Sequence, residues 1–220
     1  MACCTTEGTD RMFSKQADHY AKKFRKKGLD RPQRLIVEVL EQLGVAGRSI
    51  LEIGCGVGGL HLSLLQKGGS FALGVEVSGG MIAKARELAR ELGFYERASY
   101  VQGDFVSTCN ELSTTDIVVL DKVLCCYANP KVLIERSAAK ANMLYAISYP
   151  RDAWIARLFF GSTERLGTLL RWSFHPFYHQ PAEIEAIVRE QGLEEVNSKV
   201  TPLWQVRVFR RREKAGSRFQ

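Results

Sequence analysis

The 220-residue chain lacks any apolar run approaching the ~18 residues of a membrane span. Its first residues, MACCTTEGTDRMFSKQ, contain no apolar core of a secretory signal. These absences exclude a spanning protein from the expectations and set the cytoplasm as the expected compartment. Cysteine is sparse and badly spaced for a scaffold: there are six, none in a C-x-x-C, in a chain long enough to build a core without disulfides. No metal site is expected, because no ligand spacing of that kind occurs. Only one stretch is dense in glycine, so a second nucleotide-binding half and a separate catalytic domain are not expected either. What remains is 45% hydrophobic and 25% charged, the balance of one globular domain.

Two things are present in excess. The first is positive charge, +7 in all, concentrated in KKFRKK at 22–27 and RRREK at 210–214. Such runs are usually solvated faces, but the first precedes the core, where it could attract an anionic substrate. The second is glycine in LEIGCGVGG at 51–59, four glycines in six positions directly after an apolar run. Glycines this dense after a strand let a ligand approach bare backbone. The spacing Gly54-x-Gly56-x-x-Gly59 also satisfies the dinucleotide fingerprint.

The hydrophobic pattern alternates along the chain. Helices are expected at 10–27 (irregular), 31–43, 60–68, 80–93, 130–141 and 181–192. Strands are expected at 49–54, 71–77, 98–103, 115–121, 143–150, 194–200 and 203–211. Strict alternation predicts an α/β fold: a Rossmann-like, seven-stranded, mostly parallel sheet with helices on both faces. The last two strands, with only Thr-Pro between them, can pair only as an antiparallel hairpin, which closes the sheet. The expected organisation is an N-terminal lid or entrance segment at 1–30, one domain at 31–211 and a basic tail at 212–220. A cap insertion is expected at about 150–180, rich in aromatics (Trp154, Phe159, Phe160, Trp172, Phe174) and arginines (Arg151, Arg157, Arg165, Arg171).

Four acids separate the candidate ligands. Glu52 lies two residues before Gly54, where a carboxylate suits a ligand bearing an ammonium group. Glu76 ends the second strand, placed to hold ribose hydroxyls. Gly103-Asp104-Phe105 follows the third strand, where an acid can accept from an adenine amino group and Phe105 can line the ring. Asp121 ends the fourth strand at the sheet's carboxyl edge, where ligands of such folds collect.

In that order, LEIGCGVGG, GVEVSGGMIAKAR, GDF and IVVLDKV resemble the successive motifs of class I S-adenosylmethionine (SAM)-dependent methyltransferases. The resemblance implies SAM as cofactor, bound by Glu52, Gly54, Gly56, Glu76, Met81 and Asp104. Cys55, Gly59, Val77, Gly103 and Phe105 belong to the same motifs, and Asp121 lies near the transferred methyl. A nucleic-acid acceptor is disfavoured, since DKVLCCYANP stands where amino methyltransferases of nucleic acids carry [DN]-P-P-[YFW]. The expected acceptor is therefore a small or medium-sized, partly apolar, anionic molecule.

Within the class, FRKKGLDR (24–31), DKVLCCY (121–127) and the closing hairpin resemble the magnesium-protoporphyrin IX methyltransferases, which esterify a propionate. The chain departs from that family at Cys126, where it has histidine, and at Lys23, where it has tyrosine. The pairs Cys3-Cys4 and Cys125-Cys126 leave open S- or metalloid methylation, and small buried cysteines are the plainer reading. A SAM-binding module without turnover is also open. For a general base the candidates are His175 and His179 of FHPFYHQP, Cys126 and Tyr127, with Tyr20 and Tyr149 as further pocket candidates. His19 and His61 read as incidental.

Overall fold

The computed structural model describes residues 6–152 and 176–212. Most of the expected cap, His175 included, and the Cys3-Cys4 pair lie outside the described residues, as does nearly all of the basic tail. The elements follow the expected order, with boundaries within a few residues. They are α1 (Thr6–Lys27), α2 (Arg31–Gln42), β1 (Ser49–Ile53), α3 (Gly59–Gln66), β2 (Phe71–Glu76), α4 (Gly79–Glu91) and β3 (Ala98–Gln102). Then come α5 (Phe105–Thr108), β4 (Thr115–Asp121), α6 (Pro130–Ala138), β5 (Ala141–Pro150), α7 (Pro181–Glu190), β6 (Leu193–Val200) and β7 (Trp204–Arg211).

The seven strands lie in the order β3-β2-β1-β4-β5-β7-β6. β1 to β5 pair in parallel, and β7 pairs antiparallel with both β5 and β6. The alternation of side chains along each strand splits the interior into two cores. Ile50, Ile117, Val119, Leu144, Ala146, Val206 and Val208 face one layer with α1 to α4. Leu51, Ile53, Val118, Leu120, Tyr145, Ile147 and Phe209 face the other, with α6 and α7. Strands buried on both faces read as continuous apolar runs, which is why TDIVVLD is so plain in the sequence.

Three details differ from expectation. α1 is a regular helix of 22 residues that begins at Thr6. The hairpin turns through three residues, 201–203, with the Thr201 backbone N–H donating to the Trp204 carbonyl at 2.7 Å. α5 is a four-residue helix, too short to show a period, and is made by its cap: Asp104 Oδ2 accepts from the Ser107 backbone N–H and hydroxyl, both at 3.0 Å.

α1 is seated on the domain by close contacts at glycines. A Cβ on Gly80 would come within 2.8 Å of Ser14, and one on Gly59 within 2.7 Å of the Phe24 ring. Asp10 and Ser14 accept from the backbone N–H groups of Gly79 and Gly80 at the start of α4, both at 3.1 Å. Farther along, Arg25 forks onto Glu91.

Candidate active site

A cavity of about 420 Å³ lies over the carboxyl ends of β1, β2 and β4 and is walled on one side by α1. The glycine stretch supplies its floor, and each glycine there has a different reason. Gly54, Gly56 and Gly58 all have positive φ (65°, 53° and 80°), a region that favours glycine. A Cβ on Gly54 would meet Val123 at 2.5 Å, and one on Gly58 would meet the His61 ring at 2.9 Å. Gly59 makes room for Phe24. Gly56 alone of the four has nothing within 4 Å of where its Cβ would stand, so its backbone is bare toward the cavity.

The acids expected from sequence surround this floor. Glu76 is buried, and burial pushes its pKa up, opposed by hydrogen bonds from backbone amides. Its Oε2 accepts from Gly56 N–H and its Oε1 from Ser78 N–H, each at 2.9 Å. A carboxylate has about four acceptor sites, so acceptor capacity remains for a hydroxyl of a ligand. Asp104 also lines the cavity, and Tyr127 Oη donates to its Oδ1 while Ser107 holds Oδ2. Phe105 is buried beneath it, and Val77, Met81 and Gly103 complete that wall. Cys55 lines the floor with its thiol sunk in a notch that only Gly74 allows, since a Cβ there would lie 2.7 Å from its sulfur. Burial holds that thiol well above its ordinary pKa, so it stays protonated.

Glu52 stands at the other side of the glycine loop, 2% exposed and with its pKa raised by burial. Its Oε2 accepts from the backbone N–H of His61 at 3.1 Å and meets His61 Nδ1 at 2.6 Å. Among the described residues nothing bonds to Oε1. An imidazole that read as incidental is therefore the partner of a site acid.

Asp121 is buried at the end of β4, with its pKa raised by that burial and lowered in part by Lys122. Ser148 Oγ donates to its Oδ1, and Lys122 Nζ lies 3.3 Å from Oδ2. Lys122 has φ 59°, the one positive φ among described non-glycine residues. Its ammonium joins Asp121 to Asp30 at the α1–α2 junction and sits 5.6 Å from the Trp204 ring centre. Burial works against that charge, and the two carboxylates outweigh it, leaving the Lys122 pKa raised. Neither Lys122 nor Asp30 was singled out from sequence. A left-handed residue after a strand carries no mark unless it is glycine, and the pair is 92 positions apart.

The candidate bases fare differently. Tyr20, Tyr127 and Cys126 line the cavity. Tyr127 donates to Asp104 and has its pKa raised by burial, so it holds its proton. His179 does not reach the cavity lining; its Nε2 bonds the Tyr127 carbonyl at 2.8 Å. Tyr149 is buried elsewhere, donating to Glu185 at 3.0 Å. Of the cysteine pair, Cys125 is buried outside the lining with its thiol on the Lys122 carbonyl at 3.3 Å. The two thiols therefore do not converge on the cavity. Among the described residues no three His, Cys, Asp or Glu side chains group to hold a metal, and no helix is long and apolar enough to cross a membrane.

Residues 50–141 match the family model of the methyltransferase domain. Over 80 residues the chain is 31% identical to the sterol 24-C-methyltransferase of Eremothecium gossypii, covering 36% of this chain and 21% of that protein. The match thus spans about a fifth of that relative's length. Among solved structures, the magnesium protoporphyrin IX methyltransferase of Synechocystis with bound S-adenosylhomocysteine (SAH) superposes with TM-score 0.68 at 19% identity, over 82% of each chain. An O-methyltransferase family protein from Burkholderia thailandensis superposes with TM-score 0.70 at 15% identity, over 90% of this chain and 60% of that one. Residues 50–141 are thus similar to a methyltransferase domain, and the fold is shared with a structure solved with SAH bound. SAM is the cofactor that such a domain takes.

The residues present fit that group. Bare backbone at Gly56, an unengaged Glu52 oxygen and a Glu76 carboxylate with acceptor sites left over match its polar ends.

Proposed function

We propose that this protein transfers a methyl group from SAM to a small or medium-sized, partly apolar, anionic acceptor. When bound, SAM supplies a methyl group on a sulfonium, an electrophile that needs only an aligned nucleophile. Glu52 holds the ammonium end, Glu76 the ribose, and Asp104 with Phe105 the adenine. Of the N-terminal segment, residues 6–30 act as the entrance wall.

The observation that carries the acceptor reading is the wall that α1 forms along the cavity. There α1 contributes Phe13, Tyr20 and Phe24 to the lining, with exposed Lys23 beside them. Phe177, held by its N–H on the Cys125 carbonyl at 2.7 Å, adds a further ring. Flat apolar surface with a cation at its edge suits a partly apolar, anionic acceptor.

The state of the candidate bases supports the same reading. Tyr127 is committed as a donor, and His179 lies away from the cavity lining. A carboxylate, ionised above an ordinary pKa of about 4, needs no base to take a methyl group. Methylation of thiols or metalloids by a cysteine pair is weakened because Cys125 lies outside the lining.

The test is SAH release, followed by mass spectrometry, from protein and SAM offered carboxylated tetrapyrroles in one set and small thiols with arsenite in another. Turnover confined to the first set supports the proposal. Turnover confined to the thiols overturns the anionic acceptor, and SAH binding without turnover on any carboxylate favours a binding module.

A further inference from the structure

His61 is fully buried in the first turn of α3, yet it is not ordinary core. Its backbone N–H and its Nδ1 both address one oxygen of Glu52, and its Nε2 meets the Tyr100 hydroxyl at 3.1 Å. Tyr100 in turn donates to the Ala85 carbonyl of α4 at 3.2 Å. The carboxylate is thus tied through one ring to β3 and α4, by groups that do not line the cavity.

A second observation is independent of those bonds. Gly58 lies outside the Gly54-x-Gly56-x-x-Gly59 spacing, and its missing Cβ is what admits the His61 ring, at 2.9 Å. One glycine of the loop therefore serves the histidine, where Gly56 serves the ligand.

We propose that His61 is a positioning residue for cofactor binding: it clamps one oxygen of Glu52 so that the other faces the ammonium group of SAM. The inference rests on SAM being the ligand of this cavity. Without the clamp a buried carboxylate has other rotamers open to it, and a proton is the cheapest partner it can find. With it, the acceptor oxygen is fixed before the ligand arrives, which lowers the ordering cost of binding.

The test compares two ligands and two variants by titration calorimetry on the full chain. SAH carries the ammonium group; methylthioadenosine has the same nucleoside and lacks the amino acid portion. In His61→Asn the side-chain amide nitrogen occupies the place of Nδ1 and still reaches Glu52. In His61→Gln it occupies the place of Nε2 and reaches only Tyr100. The expected result is SAH affinity retained within about threefold in the Asn variant and lost by roughly 10–100-fold in the Gln variant, the range for a hydrogen bond to a charged group. Methylthioadenosine affinity stays within about twofold of wild type in both. Equal losses for both ligands would make His61 a structural filler and overturn the proposal, as would full SAH affinity in the Gln variant. Failure of the unaltered protein to bind SAH would instead sink the cofactor reading.

Discussion

The two ends of the cavity are built on different plans. The proposed cofactor end is backbone and short acids: Gly56 offers open main chain, and Glu52, Glu76 and Asp104 are each held by neighbours within 23 positions of them. The proposed acceptor end is side chains from distant segments: Tyr20 and Lys23 on α1, Lys122 and Cys126 after β4, and Phe177 before α7. The first plan constrains the local sequence heavily, because a change of one residue alters the main chain itself. The second leaves each position free to vary as long as the assembled surface suits the acceptor.

The largest effect that separates the ends is expected from Gly54→Val. It would force a β-branched residue to φ 65° and place a Cβ 2.5 Å from Val123. Strain and overpacking together should cost about 2–5 kcal/mol of folding stability, read from denaturant unfolding. Loss of less than a surface substitution would show that the loop yields.

Next comes Glu76→Ala, which removes the acceptor shared by Gly56, Ser78 and the ribose. It should weaken SAH and methylthioadenosine alike by about 1–3 kcal/mol, and Asp104→Ala should do the same at the lower end of that range. Unchanged affinity in both variants would refute the assignment of this end.

A smaller effect, on the other side, is expected from Lys122→Met, which keeps the stem and removes the charge. Acceptor KM should change while SAH affinity shifts by less than about 0.5 kcal/mol, within the range for a change away from a binding site. If SAH affinity fell as far as acceptor KM rose, the ends would be one coupled unit.

The smallest concerns pH. Burial raises the pKa of Glu52, so on acidification it takes up a proton above the ordinary carboxylate range and loses its pull on an ammonium group. The ratio of SAH to methylthioadenosine affinity should therefore decline as pH is lowered through that raised value. Glu76, also raised by burial, serves both ligands and cancels in the ratio; Asp121, which faces Glu52 from β4, is controlled by repeating the titration in Asp121→Asn. A flat ratio would remove Glu52 from the ammonium site.

The same contrast explains what the sequence disclosed. β4, with apolar side chains on both faces, and the hairpin, joined by too short a link to cross over, could be read directly. So could the glycines and the acids at strand ends, because their positions follow from where a parallel sheet opens. His61 could not, since a histidine nine residues after an acid has no signature until a helix turns it back. Lys122 and Asp30 meet only because the α1–α2 junction closes over β4, and no local pattern encodes that closure.

The seating of α1 also has a consequence in time. Chains are made from the N-terminus at about 5–20 residues per second, and the partners of Asp10 and Arg25 follow 69 and 66 positions later. The helix thus emerges some 3–14 s before its seat exists. Only Ala17 and Ala21 are fully buried along its 22 residues, so Phe13 and Phe24, half-buried on the core, are the main apolar surface it shows during that wait. A helix made before its seat gains from the charges around those rings, and the basic run at 22–27 keeps it solvated while it waits.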